Sequence, residues 1–321
     1  MTKRAVLIAG PTASGKSGFA MSLAKKINGA IINADSMQVY DGLRVLTARP
    51  STSDEESLPH HLYGHVAPTT RYSVGEWLRA VERILPKIEK VGQIPIFVGG
   101  TGLYFKALTE GLSALPEFPP EQFNNFVANH ADQSIQTLQE KLFSSDPSAA
   151  TRIERGDRQR TLRALMVLEL TGQSLSSWQR HAAANSILPV QQTIRIVLMP
   201  SDRAWLYQRI DKRFLQMVHD EGGAAEAHDL LSQKISQDLP LMKAIGVPHF
   251  YERSVPITAT EFEEVISLSQ RDTRRYAKRQ MTWFRNQMGD WPRLDPMSWQ
   301  DAPDKMLKDL DQIAQELEKQ G

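Results

Sequence analysis

The 321-residue sequence predicts an α/β fold, a parallel sheet core interrupted by a helical insertion, and three observations carry that reading. Short apolar runs alternate with helical periodicity in the first third of the chain and again after residue 190. One such run, residues 5–9, leads directly into Gly10-Pro11-Thr12-Ala13-Ser14-Gly15-Lys16-Ser17, a Walker A loop, and then into a helix. The middle of the chain keeps helical spacing but has no convincing strand. The prediction is therefore a P-loop NTPase-like core with an inserted helical domain.

Taken in order, residues 5–9 are a buried strand, 16–27 a helix, and 30–33 a second strand that ends at Asp35. Residues 77–90 carry Leu78, Val81, Leu85 and Ile88 at helical spacing, and 94–98 form a β-rich run stopped by Gly99-Gly100-Thr101-Gly102. A parallel sheet with crossover helices fits this order. After Gly111 the texture changes: Pro116, Pro119 and Pro120 mark a linker, and 121–179 reads as helices only. Residues 193–199 return as a β-branched strand, followed by Pro200-Ser201-Asp202 and a helix through Trp205, Ile210 and Met217. A last long helix covers 261–287, and no pattern is assigned from Asp290 onward. The expected domains are 1–112 and 186–321 for the core and 113–185 for a helical insertion.

Composition narrows the class. With 41% hydrophobic and 23% charged residues the chain reads as a soluble globular protein, and no apolar run nears the roughly 20 residues of a membrane helix. The absence of Cys excludes disulfides and thiolate catalysis, and a strand close to the N-terminus leaves no room for a cleaved signal, so a cytoplasmic protein is expected. A net charge of +1 means that any nucleic-acid contact must come from local clusters of Lys and Arg.

The Walker loop supplies phosphate chemistry. Its glycines let successive N–H groups turn inward around phosphate oxygens, Lys16 adds a positive charge, and Ser17 can place its hydroxyl on a magnesium ion at the N-terminus of the helix. Asp35-Ser36-Met37-Gln38-Val39-Tyr40 follows the second strand and falls on the same sheet edge. Asp35 there is a magnesium ligand, a general base or a cap, while Ser36, Gln38 and Tyr40 suit the edge and plane of a heterocyclic base. The strand before Gly99-Gly100-Thr101-Gly102 ends without the acidic residue of an ordinary P-loop ATPase, which counts against simple ATP hydrolysis. Its small residues would let a flat substrate approach, with Thr101 supplying a hydroxyl. His60, His61 and His65 have no thiolate and no carboxylate support nearby except Asp54, Glu55 and Glu56, too little for a zinc site, and read as loop or helix-end residues.

Two basic clusters stand out. Arg152, Arg155, Arg158, Arg160 and Arg163 close the insertion; Arg271, Arg274, Arg275, Lys278, Arg279 and Arg285 crowd the last helix, interleaved with Tyr276, Trp283 and Phe284. Clustered charge of one sign with aromatics favours a nucleic-acid backbone over a solvated helix face.

In these motifs the chain resembles the bacterial tRNA dimethylallyltransferases, also called tRNA isopentenyltransferases. The Walker loop, 35–40, 98–104 and Tyr276-Ala277-Lys278-Arg279-Gln280-Met281-Thr282-Trp283-Phe284-Arg285 look like that family's signatures in its order, spanning about Val6 to Arg285. The resemblance implies that the loop holds the diphosphate of dimethylallyl diphosphate. It implies too that the C5 unit passes to the exocyclic amine of the adenosine just 3′ of the anticodon, in the tRNA anticodon stem-loop. By the same resemblance Asp35 is the general base with Thr101 beside it, Lys16, Ser17 with Mg2+ and Arg213 stabilise the diphosphate, and Asp35 to Gln38 meet the target base. The tRNA contacts carried over are Thr101, Phe123, Gln159, Arg160, Thr161, Leu162, Arg163, Lys278, Arg279 and Arg285. A monomer with no obligate protein partner and no membrane is implied.

Two departures are visible. Family members often have Ala-Ile-Gly-Tyr and a basic residue where this chain has Ala244-Ile245-Gly246-Val247-Pro248, so weaker or rerouted tRNA contact is expected at that loop. Phe123 stands where an arginine is common, which takes that arginine's contact away. The competing readings are a P-loop kinase using ATP on a small metabolite and a non-catalytic RNA-binding module.

Overall fold

The computed structural model describes residues 4–112, 115, 118–180, 186–253 and 257–318; Pro116 and the expected boundary positions 113 and 185 lie outside them. The chain divides into two compact units, one from residues 1–109 and 187–321 and the other Glu110–Ser186.

The larger unit contains an all-parallel six-stranded sheet. Its strands are β1 (Ala5–Ala9), β2 (Gly29–Asn33), β3 (His60–His61), β4 (Ile94–Gly99), β5 (Thr193–Leu198) and β6 (Arg293–Leu294), in the order β3-β2-β4-β1-β5-β6. Its helices are α1 (Lys16–Ile27), α2 (Thr52–Ser57), α3 (Val74–Lys90) and α4 (Gly102–Glu110), with the insertion then intervening. The smaller unit holds α5 (Pro120–Asn129), α6 (Ile135–Ser145), α7 (Pro147–Arg152), α8 (Arg158–Thr171) and α9 (Leu175–Arg180). The larger unit resumes with α10 (Arg203–His219), α11 (Gly223–Ser232), α12 (Val247–Tyr251), α13 (Ala259–Gln287), α14 (Ser298–Asp301) and α15 (Pro303–Glu318).

β1 is central, every residue of it buried, because both faces of a parallel sheet are covered by crossover helices. The period of two divides its side chains. Val6 and Ile8 join Phe19 and Leu23 of α1 and Leu310 and Ile313 of α15 on one face. Leu7 and Ala9 join Trp77 and Val81 of α3, Ile210 of α10 and Phe284 of α13 on the other. Each such aliphatic side chain contributes roughly 2 kcal/mol by leaving water.

α3 and α13 begin earlier than apolar spacing suggests. Capping boxes, Ser73 with Glu76 and Thr258 with Glu261, satisfy the first free N–H groups and start each helix ahead of its apolar stripe. The histidine pair is corrected: His60 and His61 form a short edge strand beside Ile31 and Ile32, not a loop or helix end. β6 likewise pairs with Val197 and Leu198 beyond Asp290, where no element was assigned. Two-residue strands are too short to show a period.

Gly99 is fixed by space. A Cβ there would stand 2.0 Å from the Ala34 carbonyl oxygen, a backbone atom that cannot swing aside. Gly99→Ala is expected to lower stability by about 1–3 kcal/mol, read as a lower urea midpoint; an unchanged midpoint would contradict this packing.

Within the smaller unit, Phe126, Leu138, Leu162 and Met166 form one cluster and Leu142, Ala149 and Ala164 another. Buried Asp146 accepts the N–H groups of Ala149 and Ser176 at 3.0 and 2.9 Å, tying α7 to α9.

Candidate active site

The phosphate loop is held open by its own backbone and braced from three sides. Ala13 and Gly15 adopt left-handed conformations, φ 61° and 92°, which turn the chain back before α1 begins. Lys16 Nζ donates to Pro11 O at 3.3 Å, Arg209 Nε of α10 donates to Ala13 O at 2.9 Å, and Gln280 Oε1 of α13 accepts the Thr12 N–H at 2.9 Å. Burial pushes the Lys16 ammonium below the usual lysine range, and the Asp35 carboxylate opposes that shift. Ser17 is exposed at the first turn of α1, whereas the Ser14 hydroxyl is buried with no partner among the described residues.

Two arginines on one face of α10 share this end of the cleft. Arg213 donates to Glu221 Oε1 at 2.6 Å, while Arg209 bonds the loop itself and lies 4.8 Å over the Trp205 ring. Sequence reading favoured Arg213; the loop contact belongs to Arg209.

Asp35 is fixed by its neighbour Asn33, a fully buried amide at the end of β2. Asn33 Oδ1 accepts the Asp35 N–H at 2.8 Å, and its Nδ2 donates to the carbonyls of Asp35 and Leu62 at 2.9 and 3.0 Å. Asp35 Oδ1 accepts the Met37 N–H at 2.9 Å, leaving Oδ2 without a hydrogen-bond partner among the described residues. Thr101 Oγ1 accepts the Ser36 N–H at 2.9 Å and donates to Ser36 Oγ at 3.3 Å, so the segment after β2 is latched to the turn after β4. Gln38 donates its amide hydrogens to Thr47 O and Ala48 O at 2.8 and 2.9 Å. That pairing removes its donors from any base and leaves only its carbonyl oxygen.

The glycine turn is corrected as well. The space beside Gly99-Gly100-Thr101-Gly102 is occupied by the protein, not left for a flat substrate. Cβ atoms at Gly100 and Gly102 would lie 2.0 Å from Gln280 Nε2 and 1.9 Å from Trp283 Nε1.

A cleft of about 760 Å³ within the larger unit brings these groups together. Lys16, Ser17, Arg209 and Arg213 line it with Asp35 to Gln38, and Met37, Phe214, Met217 and Ile245 give it apolar surface. Tyr276 closes one side; burial and then the Asp35 carboxylate raise its phenol far above the usual tyrosine range. Another wall, residues 46–50, depends on Glu226 of α11, whose carboxylate accepts the N–H groups of Arg44, Val45 and Leu46, the last at 2.9 Å. Arg209, one turn from Arg213 on the same helix face, is visible in sequence and was passed over for Arg213; sequence reading missed Asn33, Glu226 and Gln280 as working parts. A polar Asn closing an apolar strand was the one visible signal among them.

The basic clusters divide on inspection. In the smaller unit Arg158 donates to the carbonyls of Ala131 and Gln133 at 3.1 and 2.6 Å, and Arg152 to Ser176 and Gln179 at 3.0 and 2.8 Å, which are internal ties. Thr161 and Leu162, expected at a tRNA surface, are buried: the helical period turns them inward, and the Thr161 hydroxyl donates to Asp157 O at 2.8 Å. Phe123 packs half-buried on the Phe126 cluster. Gln159 and Arg160 are exposed, and Arg163 lies 5.2 Å over the Phe118 ring. On α13, Arg274 pairs with Asp211 and Arg271 and Arg275 with Asp272, whereas Lys278, Arg279 and Arg285 have no acidic partner among the described residues.

A Walker-type loop after the central strand of a parallel sheet, facing a carboxylate on the same edge, defines a protein of P-loop NTPase-like fold. Comparison with known proteins narrows the class. A family described as IPP transferase matches residues 38–287, one described as isopentenyl transferase matches 3–62, and the chain belongs to the IPP transferase family. The chain is similar to the tRNA dimethylallyltransferases of Allorhizobium ampelinum, at 48% identity over 91% of this chain and 95% of that one, and of Agrobacterium fabrum, at 47% over 91% and 97%. The solved full-length tRNA isopentenylpyrophosphate transferase of Bacillus halodurans superposes with a TM-score of 0.68 at 32% identity, covering 99% of this chain and 98% of that chain. A eukaryotic dimethylallyltransferase solved acting on tRNA superposes at 0.77 with 27% identity, covering 94% and 76%.

Proposed function

We propose that this chain transfers a dimethylallyl group from dimethylallyl diphosphate to the exocyclic N6 amine of the adenosine 3′-adjacent to the anticodon of tRNA, releasing diphosphate. The observation that carries this reading is a single cleft lined both by the phosphate loop with its cations and by the Asp35 carboxylate. A kinase using ATP is disfavoured because β4 ends in Gly99 and is followed by Gly100, with no acid there to hold a metal for γ-phosphoryl transfer.

In the reaction the amine lone pair forms the new C–N bond while the C–O bond to diphosphate breaks, its electrons leaving on oxygen. The Asp35 carboxylate takes the proton from N6, Thr101 keeps the 35–38 segment in place, and Lys16 with Arg209 and Arg213 neutralises charge growing on the leaving group. Oxygen donors suit Mg2+, and Ser17 is the residue to hold it, where it would supply further positive charge to the diphosphate. The target base must leave its stack to reach Asp35. Lys278, Arg279 and Arg285 of α13 and Gln159 and Arg160 of α8 are the proposed tRNA contacts that remain exposed.

The deciding assay combines the protein with magnesium, labelled dimethylallyl diphosphate and unmodified tRNA, with and without ATP. Label in tRNA independent of ATP is expected; no label, or label that demands ATP, overturns the proposal. Arg160→Glu is expected to weaken tRNA binding and to reduce the slope of log affinity against log salt by about 1, measured by filter binding across salt concentrations. An unchanged slope removes Arg160 from the interface.

A further inference from the structure

Gln280 has a place in the molecule that its position in a basic, surface-seeking helix does not suggest. It is 5% exposed, and its amide is satisfied at both ends by loops that belong to different strands. Oε1 accepts the Thr12 N–H of the phosphate loop at 2.9 Å, and Nε2 donates to the Gly100 carbonyl, in the turn after β4, at 3.0 Å. The Tyr276 phenol, four residues back on α13, interacts with both Gln280 and Thr101. The fit is tight from the other side too. A methyl group at Gly100 would stand 2.0 Å from Gln280 Nε2 and 3.4 Å from Asp35 Oδ2.

We infer that Gln280 is a positioning residue, a crossbar that sets the phosphate loop at a fixed distance from the Asp35 and Thr101 side of the cleft. The inference rests on the proposed transferase reading for its chemistry, because in-line displacement needs the amine, with its proton acceptor behind it, held opposite the leaving group across one carbon. The physical argument is local. Thr12 lies at the crest of a loop whose neighbours Ala13 and Gly15 are already in left-handed conformations, so the Thr12 N–H bond decides which way the crest faces. Gly100 is the residue before Thr101, whose hydroxyl latches Ser36. One buried amide therefore touches the leaving-group side directly and the base side through one residue. Removing it leaves a buried donor and a buried acceptor unpaired and frees the two loops to drift apart. Displacements of about 1 Å in such constellations cost on the order of 100-fold in rate.

The test uses the full chain and two variants that attack the crossbar from opposite sides. Gln280→Met keeps volume and removes both hydrogen bonds, and Gly100→Ala leaves Gln280 intact but pushes its amide away. Steady-state kinetics with dimethylallyl diphosphate and tRNA are read beside calorimetric titration of inorganic diphosphate, tRNA binding and thermal unfolding. Both variants are expected to lower kcat on the order of 100-fold and to weaken inorganic diphosphate about tenfold, with tRNA affinity within about twofold of the wild type. A fall in melting temperature with kcat and diphosphate affinity unchanged makes Gln280 structural and overturns the inference. Loss of tRNA affinity with diphosphate binding unchanged makes it a tRNA contact and overturns it equally. A wild-type protein that puts no label into tRNA defeats the proposed function instead, while the diphosphate titration of the variants still judges the crossbar.

Discussion

An Asp35→Asn variant is expected to lose about 10²- to 10⁴-fold in kcat while binding tRNA as the wild type does. The substitution isolates proton acceptance. Asn at position 35 retains a carbonyl oxygen for the Met37 N–H, and Asn33 still holds the backbone of residue 35 at both its N–H and its carbonyl. The geometry of the 35–38 segment and its latch to Thr101 therefore persist, and what is lost is a carboxylate whose second oxygen has no hydrogen-bond partner among the described residues. Single-turnover transfer of labelled dimethylallyl groups, with tRNA binding measured in parallel, reads this directly. Turnover at the wild-type rate would remove Asp35 as the base.

Lys16→Met should be as damaging for a different reason. The ammonium stands where charge grows on the departing diphosphate, and loss of one preorganised electrostatic partner costs on the order of 10²- to 10³-fold in kcat. Folding should not suffer. Among the described residues the Lys16 side chain makes one bond, to Pro11 O at 3.3 Å, and burial already works against its charged form. Its folded-state pKa lies below the unfolded value, so the unfolded chain binds more protons between the two, and stability gains as pH rises through that window toward the ordinary lysine range. The Met variant loses that gain and should melt at or above the wild-type temperature at neutral pH. A large drop in melting temperature would show Lys16 to be structural.

Much of the core was legible because its signals are local. Residues 5–9 are a continuous apolar run, as a strand buried on both faces must be, and 193–198 are a β-branched run, apolar apart from Thr193 and Arg195. Leu78, Val81, Leu85 and Ile88 repeat at the helical period that turns this face to the sheet, with Leu78 only half-buried. The places of Asp35 and of the loop that carries Lys16 were legible too, each following a strand at the sheet's carboxyl edge. What failed to show were pieces too short to have a period, such as His60 and His61 in β3, and residues whose role depends on a distant partner. Glu226 and Gln280 look in sequence like ordinary polar residues of amphipathic helices. Thr161 and Leu162 erred the other way: contiguous residues beside Arg160 and Arg163 share a motif but not a helix face, and the turn of 100° per residue sends them into the core.

The sequence by itself determined the phosphate loop, the strand-then-Asp35 segment, the helical pattern of the insertion and the likeness to the IPP transferases, since each rests on residues adjacent along the chain. The strand order β3-β2-β4-β1-β5-β6 came from the structure. The tertiary structure alone decided who braces that loop and what the glycine turn is for. Gln280 lies 268 residues from Thr12 and 180 from Gly100, and Arg209 lies 196 from Ala13. Contacts at such separation leave no periodic trace, because the chain between them can be of any pattern; only packing of α10 and α13 against the sheet brings them to hydrogen-bonding distance.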